Sequence, residues 1–347
     1  MSSSTHGRSG AVGEPLLRVR DLKVHFDTPD GVVKAVNGVS FDIYPGETLG
    51  VVGESGSGKS VTFLTVMGLI RSKDARLEGE VIFDGQDLLR LPDEELRHLR
   101  GKRIGMVFQD AMTSLHPFYT VGQQIVEGIR AHEKMHKKEA WDRAIDMLQT
   151  VGIPKPAERA RQYPHEFSGG MRQRAMIAMA LALNPDLLIA DEPTTALDVT
   201  VQSQILELID RLKQEFRTAV VLITHDLGVV AEYCDHINVM YAAKIAESGN
   251  TRDIYYGAHH PYTWGLLQSI PRLESEVQDL KPIKGQPPSL IFVPPGCAFH
   301  PRCPYVMDIC RTKEPELRSP DGVHASACHL PLSEKERILR EEVLQQA

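Results

Sequence analysis

The sequence predicts an α/β fold in which a large domain is followed by a smaller, loop-rich C-terminal part. Three observations predict it. A short apolar run at residues 48–52, TLGVV, leads into a glycine-rich turn and then a helical pattern, the expected setting of a phosphate-binding loop. Two more apolar runs, at residues 187–190 and 219–223, are followed by helical patterns of their own. After about residue 255 proline becomes frequent and the periodicity fades.

The residues on either side of the glycine-rich turn are predicted to form mainly strands. Residues 1–15 are polar and rich in glycine and serine, without the apolar segment of an export signal, so we expect them to be flexible. Residues 16–52 alternate between apolar and polar positions around a Pro-Asp-Gly turn, as strands do. Residues 60–70 continue from the turn as a helix, and residues 79–108 contain a hairpin, a polar helix and another strand.

The middle of the chain, residues 110–185, is predicted to be a helical subdomain. Apolar residues recur three and four positions apart in much of it, and a helix at residues 168–183 opens at Ser-Gly-Gly. We therefore predict one large domain at 16–255 and a C-terminal extension at 256–347. The rest of the large domain is predicted to comprise a strand at 187–190, a helix at 201–215, a strand at 219–223, a helix at 226–234 and a strand-like stretch at 237–249.

Length and composition limit the class of protein. A chain of 347 residues exceeds the usual size of a single hydrophobic core, which agrees with a second, smaller part. The formal net charge of −7 gives no support to nucleic-acid binding. No stretch reaches the roughly 18 consecutive apolar residues that a membrane-spanning helix needs. We therefore expect a protein of the cytosol, where clustered cysteines bind metal more often than they form disulfides.

One glycine-rich stretch matches the phosphate-loop pattern G-x-x-x-x-G-K-[ST] at every position. Glycines let backbone N–H groups curl around phosphate oxygens, and the positive end of the following helix points at the anion. The lysine would reach the β- and γ-phosphates of a nucleotide, and the final serine would offer its hydroxyl to Mg²⁺. The nucleotide-binding residues predicted from this match are Gly53, Glu54, Ser55, Gly56, Ser57, Gly58, Lys59 and Ser60.

Two acidic residues, Asp191 and Glu192, follow the apolar run at 187–190. A buried strand that ends here would deliver Asp191 to the Mg²⁺ ion. Glu192 could orient or deprotonate a water that attacks the γ-phosphate. Because a phosphate loop lies upstream in the same chain, this pair predicts a nucleoside triphosphatase rather than a strand that ends in two solvated acids.

The stretch FSGGMRQR at residues 167–174 resembles the signature sequence of ATP-binding-cassette (ABC) ATPases. Other motifs of that family occur in the family's order, so the chain is identified as an ABC-type P-loop ATPase that uses ATP and Mg²⁺. The resemblance implies a hydrolytic role for Glu192, a Q-loop and Mg²⁺ contact for Gln109, and a γ-phosphate contact for His225. It further implies a signature contact to ATP in another subunit for Ser168, Gly169, Gly170 and Met171, a D-loop at Asp198, and adenine stacking for Phe26.

The Ser-Gly-Gly sequence also has a direct physical interpretation. It opens a helix, so its free N–H groups and the positive helix end form a second anion site. The resemblance implies that this site caps ATP in a partner, in a head-to-tail pair of ATPase domains with two ATP molecules between them. Met171 stands where the family usually has glutamine, but the Ser-Gly-Gly core is intact, so we expect the anion site to be retained.

These motifs, with HPYTWGLL at residues 260–267 and a cysteine-bearing tail, resemble the ATPase subunits of bacterial oligopeptide and dipeptide importers, the peptide/nickel group. The stretch TPDGVVKAVNGVSF is most similar to the oligopeptide branch. The resemblance implies a place at the cytoplasmic face of the inner membrane. The implied partners are a second related ATPase, two permease subunits and an extracytoplasmic peptide-binding protein. Import of dipeptides, nickel or another solute, or a soluble ABC ATPase outside transport, remain alternatives.

Four of the five cysteines lie in the C-terminal part, with the spacing C-x5-C-x6-C-x17-C. Four thiolates can bind a [4Fe–4S] cluster or Zn²⁺, and the C-x2-C pairs of zinc ribbons are absent. Some peptide-importer ATPases carry a [4Fe–4S] cluster in this tail, so the resemblance favours the cluster. A metal would supply folding free energy to a loop-rich segment. The predicted ligands are Cys297, Cys303, Cys310 and Cys328, and four free thiols are the alternative to a metal site. His300, His324 and His329 are nearby and could be mixed ligands, although exposed loop histidines usually are not. Cys234 is predicted to be a buried apolar residue.

Overall fold

The fold is known from a computed structural model that describes residues 13–195, 197–270, 283–319 and 322–344. Of the stretch predicted to be flexible, residues 1–15, all but the last three lie outside the described residues. The strands are β1 (Leu17–Thr28), β2 (Gly31–Ile43), β3 (Thr48–Val52), β4 (Ala75–Phe83), β5 (Gln86–Asp87), β6 (Ile104–Val107), β7 (Leu187–Asp191), β8 (Ala219–Thr224), β9 (His236–Tyr241), β10 (Lys244–Asn250) and β11 (Ala325–Ser326). The helices are α1 (Lys59–Val66), α2 (Asp93–Leu99), α3 (Ala111–Ser114), α4 (Val121–His132), α5 (Lys137–Thr150), α6 (Pro156–Arg159), α7 (Gly169–Leu181), α8 (Val199–Phe216), α9 (Leu227–Tyr233), α10 (Thr251–Tyr256), α11 (Pro261–Gln268), α12 (Asp308–Thr312) and α13 (Leu332–Ile338).

Strands β1, β2, β4 and β5 form a small antiparallel sheet in the order β2-β1-β4-β5. The central strand β1 directs Val19, Leu22 and Val24 into a core, where all three are fully buried. The sheet packs on the helix α1 through Phe41 and Phe63, whose ring centroids are 5.6 Å apart. The small sheet therefore packs against, and supports, the helix that follows the glycine-rich turn.

The other seven strands form a large sheet in the order β11-β10-β9-β3-β8-β7-β6. The five strands from β9 to β6 are parallel, and β10 and β11 add to them antiparallel at one edge. Strands β3, β7 and β8 are buried at every residue, which explains why their sequences are continuous apolar runs. This sheet confirms the predicted α/β fold, and it brings the loops after β3, β7 and β8 to one edge.

Helices α4, α5 and α7 pack together beside the large sheet and share its apolar core. Helix α4 begins at a capping box, in which Thr120 and Gln123 each accept a hydrogen bond from the other's backbone N–H. Its buried positions Val121, Ile125 and Ile129 recur at the spacing of one helical face. Within the described residues, no helix combines the length and apolar character that crossing a membrane requires.

The C-terminal part contributes to the same sheet and core. Strand β11 pairs with β10, with Ser326 opposite Glu247. The side chains of Tyr262, Trp264 and Phe299 are buried in the apolar core that also contains residues of the central strands. The sequence pattern did not predict α11. This helix is buried on nearly every side, so its apolar residues do not form a single stripe. The division at residue 255 stays a prediction.

The stretch 237–249, predicted as strand-like, is a hairpin of two strands. Strands β9 and β10 pair antiparallel, and Ala242 and Ala243 turn the chain with φ angles of 45° and 68°. Such left-handed angles usually call for glycine or asparagine. Two alanines therefore gave no turn signal in the sequence.

Candidate active site

The phosphate loop, Gly53–Ser60, connects the parallel strand β3 to α1. Gly53 and Gly58 have φ angles of 153° and 98°. A Cβ atom would overlap the carbonyl oxygen of Met240 at Gly53 and that of Ala35 at Gly58, so only glycine fits at both positions. The hydroxyl of Ser57 is buried and has no hydrogen-bond partner among the described residues, which marks the loop as a place for a polar ligand.

The ammonium group of Lys59 lies inside this loop. Its Nζ donates hydrogen bonds to the carbonyl oxygens of Gly53 at 2.6 Å and Glu54 at 3.0 Å. Burial lowers the pKa of Lys59, while nearby carboxylates oppose that shift. Ser55 and Gly56 form the exposed tip of the loop. A phosphate group bound here would give Lys59 a charged partner in place of two carbonyl oxygens.

Ser60 and Asp191 supply the oxygen atoms expected around Mg²⁺. Ser60 lies in the first turn of α1 and Asp191 ends β7, and the Ser60 hydroxyl donates to Asp191 Oδ1 at 2.9 Å. Burial raises the pKa of Asp191, and the hydrogen bond from Ser60 opposes that shift. Carboxylate and hydroxyl oxygens are hard ligands, so the two residues fit Mg²⁺.

Glu192 follows directly after β7 and is held by two hydrogen bonds. Its Oε2 accepts from Gln109 Nε2 at 2.9 Å and from Thr195 Oγ1 at 2.8 Å. His225 Nδ1 lies 3.8 Å from the other carboxylate oxygen. Three residues that the sequence predicts to act in hydrolysis, Gln109, Glu192 and His225, therefore meet at one edge of the sheet. Thr195 is an additional partner that no sequence motif indicated.

The signature residues begin helix α7. The first of them is Ser168, whose Oγ accepts the backbone N–H of Met171 at 3.3 Å and so caps the helix. Ser168 and Gly169 are exposed. A Cβ on Gly170 would lie 2.9 Å from Val201 Cγ1, so glycine allows α7 to approach α8. The start of α7 thus presents free N–H groups to solvent, and its contact with a partner's ATP stays a prediction.

Asp198 immediately precedes helix α8 and caps it, because its Oδ1 accepts the backbone N–H of Val201 at 3.0 Å. Ala196, which precedes it in the predicted D-loop, lies outside the described residues. Phe26 lies on β1, half-buried against the core of the small sheet. The roles of Asp198 at a subunit interface and of Phe26 against adenine stay predictions.

Two residues outside the predicted set contact the phosphate loop. The hydroxyl of Tyr262 accepts the backbone N–H of Glu54 at 2.8 Å. The guanidinium of Arg302 pairs with the Glu54 carboxylate at 2.6 Å. The stretch HPYTWGLL, which contains Tyr262, contributed to the family resemblance. No pattern in the sequence, however, connected Tyr262 or Arg302 to Glu54.

The four cysteines of the C-terminal part, Cys297, Cys303, Cys310 and Cys328, line one small cavity and form no disulfide. We call them the four-cysteine site. Burial raises the pKa of Cys297 to about 11 and that of Cys303 to about 12. Among the described residues, which include all five cysteines, no three of the sulfur atoms lie within 4.8 Å of one another. The backbone amides of Phe299 and His300 beside Cys297, of Tyr305 beside Cys303 and of Leu330 beside Cys328 oppose this rise in the thiol pKa values.

The three nearby histidines have other partners. His300 Nδ1 lies 2.9 Å from the carbonyl oxygen of Cys297, and His329 Nε2 lies 2.8 Å from that of Lys313. His324 Nε2 lies 2.7 Å from a carboxylate oxygen of Glu247. The contacts of His300 and His329 each use one ring nitrogen, so they are compatible with ligation through the other.

A buried polar group joins β10 to the C-terminal part. Glu247 is fully buried, and its carboxylate accepts the backbone N–H groups of His259 and His260 and contacts the His324 imidazole. One ligand atom each of Glu247, His259 and His324 lies within 4.8 Å of the others, a spacing that could accommodate a metal ion. Both carboxylate oxygens already have partners, however, and the imidazole rings of His259 and His324 stack at 4.1 Å. Both oxygens of the Glu247 carboxylate therefore already accept hydrogen bonds from within the chain.

Comparison with known proteins identifies the family. A family profile described as ABC transporter matches residues 36–195, and one described as Oligopeptide/dipeptide transporter, C-terminal region, matches residues 246–310. The oligopeptide transport ATP-binding protein OppD of Salmonella typhimurium is 52% identical over 320 residues, which are 92% of this chain and 95% of that protein. The chain belongs to the family of ATP-binding subunits of peptide ABC transporters.

Other members of the ABC family agree with this assignment. The dipeptide transport ATP-binding protein DppD of Bacillus subtilis is 52% identical over 318 residues, 91% of this chain and 95% of the relative. The dimeric structure of the ATP-binding cassette MJ0796 bound to ADP and Pi matches with a TM-score of 0.62 and 29% identity. That match covers 68% of this chain and 99% of the cassette, which confirms the ABC cassette fold.

Proposed function

We propose that this ABC ATPase hydrolyses ATP to power the import of oligopeptides across the cytoplasmic membrane. The observation that carries the proposal is a complete set of hydrolytic side chains at one sheet edge. Lys59 lies in the phosphate loop, Ser60 contacts Asp191, and Glu192 stands next to them. The 52% identity with the oligopeptide transport protein OppD supports an oligopeptide as the transported substrate.

The chemistry of each residue suggests its task in hydrolysis. Lys59 would offset the negative charge of the terminal phosphates. Ser60 and Asp191 would hold Mg²⁺, which when bound neutralises charge on the phosphate oxygens. Glu192 would orient the attacking water and accept its proton. Its carboxylate would have to exchange the hydrogen bond from Gln109 for one from that water.

The exposed start of α7 supports a two-subunit arrangement. Ser168 and Gly169 would cap the ATP held by a second, related ATPase in a head-to-tail pair, and the dimeric MJ0796 structure supports such pairing. Two permease subunits and an extracytoplasmic peptide-binding protein would complete the importer. The helical segment 110–165 would contact the permeases, and the chain would then lie at the cytoplasmic face of the membrane.

The variant Glu192→Gln tests the hydrolytic assignment. It keeps the size of the side chain but cannot accept a proton, so we expect ATP turnover to fall at least about a hundredfold while ATP binding is retained. Release of phosphate and binding of a fluorescent ATP analogue measure the two properties. Glu207→Gln, on the exposed face of α8, is the matched control and should keep full turnover. Normal turnover by Glu192→Gln would refute the assignment.

Dipeptide import is the second candidate, because the dipeptide transport protein DppD of Bacillus subtilis is equally similar at 52% identity. Substrate choice would lie in other subunits, since nothing in the nucleotide site distinguishes one peptide from another. Uptake of labelled peptides of different lengths by the assembled importer separates the two candidates. Uptake of dipeptides alone would replace the oligopeptide assignment without affecting the ATPase assignment.

We further propose that the four-cysteine site binds a [4Fe–4S] cluster rather than Zn²⁺. A tetrahedral zinc ion with bonds of about 2.3 Å would bring the sulfur atoms to roughly 4 Å from one another. In every set of three of these sulfur atoms at least one pair lies more than 4.8 Å apart, which is wider than a tetrahedral zinc site requires and supports a larger group.

Protein purified without oxygen tests the nature of the metal. A cluster should give a brown protein that absorbs near about 400 nm, with iron and acid-labile sulfide in equal amounts. Cys310→Ser should lose most of the colour, whereas Cys234→Ser, at a buried cysteine outside the site, should keep it. A colourless protein with stoichiometric zinc would contradict the cluster and establish the alternative.

A further inference from the structure

The phosphate loop carries a carboxylate whose partner lies 248 residues further along the chain. Arg302 Nη1 and Nη2 donate to the two carboxylate oxygens of Glu54 at 2.6 and 2.9 Å. This is the two-pronged geometry in which a guanidinium binds a carboxylate most strongly. The side chain of Arg302 is 4% exposed and that of Glu54 is 28% exposed, so solvent screens the pair less than it screens a surface ion pair.

The surroundings of Arg302 fix it in one position. Its Nε donates to the carbonyl oxygen of Lys284 at 3.0 Å, and its guanidinium lies over the rings of Tyr241 and Phe299 at 5.8 and 5.9 Å. A buried guanidinium that lost Glu54 would be left without its carboxylate partner, which is costly. The pairing therefore constrains Glu54 as much as it constrains Arg302.

Glu54 is also held through its backbone. Its N–H donates to the hydroxyl of the fully buried Tyr262 at 2.8 Å, and its carbonyl oxygen accepts from Lys59 Nζ at 3.0 Å. A single residue thus connects Arg302 and Tyr262, both in the C-terminal part, to the lysine that would bind the phosphates. A change in the position of Arg302 would therefore be transmitted to Lys59 through Glu54, which contacts both residues.

Arg302 immediately precedes Cys303 in the chain, at the end of the short helical turn His300–Arg302. The backbone of this turn also hydrogen-bonds to Cys297, because the N–H of His300 donates to the Cys297 carbonyl oxygen at 2.9 Å. The position of Arg302 is therefore determined by the backbone that carries two residues of the four-cysteine site.

We propose that Arg302 is a positioning residue that couples the four-cysteine site to the phosphate loop, so that metal occupancy of the cysteines and nucleotide binding favour each other. The inference rests on the proposed function, because it takes the loop to bind nucleotide and the cysteines to bind metal. Coupling of this kind is reciprocal. If bound metal increases the affinity for nucleotide by some factor, bound nucleotide increases the affinity for metal by the same factor.

Binding measurements on single and double variants test the coupling. In metal-loaded protein, Arg302→Gln and Glu54→Gln should each weaken binding of a fluorescent, non-hydrolysable ATP analogue by about fivefold or more. The double variant should be no weaker than either single variant, because both remove the same contact. In turnover assays KM should rise more than kcat falls. Arg318→Gln, at an exposed arginine paired with Glu316, is the matched control and should bind as the unaltered chain does.

A measurement on the unaltered chain keeps the proposal testable if Arg302→Gln does not fold. The rate at which a chromogenic chelator removes the metal is followed with and without the ATP analogue and Mg²⁺. The analogue should slow removal severalfold in the unaltered chain and in Arg318→Gln. An equal rate with and without the analogue, or additive effects in the double variant, would overturn the coupling alone. A chain that binds no nucleotide or no metal would overturn the proposed function and the coupling together.

Discussion

At the scale of single residues, the start of α7 depends on the side chain of Ser168 but only on the backbone of Met171. Ser168 caps the helix with its hydroxyl, whereas Met171 contributes its backbone N–H to that cap. We expect Ser168→Ala to weaken the helix start by about 1 kcal/mol and to reduce ATP turnover, because the anion site loses its order. Phosphate release at saturating ATP measures the change.

Met171→Gln is the matched variant for this prediction. It restores the residue usual in the signature but leaves the N–H that Ser168 caps, so turnover should stay within about twofold of the unaltered chain. If Met171→Gln altered turnover as strongly as Ser168→Ala, the side chain at position 171 would take part in the contact, and the backbone account would be wrong.

The residues that the sequence predicted are those whose chemistry resides in a local pattern. Lys59 and Ser60 belong to one eight-residue motif, and Asp191 and Glu192 end one apolar run. Arg302 could not be predicted in this way, because its partner Glu54 is 248 residues away and pairs of arginine and glutamate have no spacing of their own. Only the folded chain brings the two together.

At the scale of elements, the contact of β6 with α7 depends on a glycine. A Cβ on Gly105 would lie 2.6 Å from the carbonyl oxygen of Ala180, near the end of α7. We expect Gly105→Ala to push the helix from the strand and to cost about 1–3 kcal/mol of unfolding free energy, because a backbone oxygen cannot move aside as a side chain can. Urea denaturation followed by circular dichroism measures this loss.

Gly128→Ala is the control for that prediction. Gly128 lies within α4, and a Cβ there would meet nothing within 4 Å. Alanine should therefore stabilise the helix, by about 0.5–1 kcal/mol. A destabilisation by Gly128→Ala as large as that by Gly105→Ala would show that α4 and α7 respond to something other than the space around each glycine.

The apolar pattern of the sequence predicted two kinds of element. It predicted α4 because that helix buries one face and exposes the other, and it predicted β3 because a fully buried strand is a short apolar run. It missed α11, whose residues are buried on nearly all sides, and it missed the turn between β9 and β10, made by two alanines. Tertiary contacts determine both of these features.

At the scale of the whole molecule, the C-terminal part and the cassette share one polar group as well as one apolar core. Glu247 on β10 accepts backbone N–H groups of His259 and His260 and contacts His324 near β11. The buried ammonium of Lys335 donates to Ser326 Oγ at 2.8 Å. Burial lowers the pKa of that lysine, while Cys328 and Glu247 act to raise it. The Glu247 carboxylate thus contacts two segments of the C-terminal part, at residues 259–260 and at His324.

Loss of this carboxylate should weaken the whole molecule. We expect Glu247→Ala to reduce the unfolding free energy by about 3–5 kcal/mol, because it leaves two buried backbone N–H groups without their acceptor and removes the carboxylate that contacts the buried His324 imidazole. Thermal and urea unfolding measure the loss. Glu314→Ala is the control: this exposed glutamate pairs with Lys244, and surface pairs contribute about 1 kcal/mol or less. An equal, small effect of both variants would mean that water satisfies the Glu247 site, and that other contacts join the C-terminal part to the cassette.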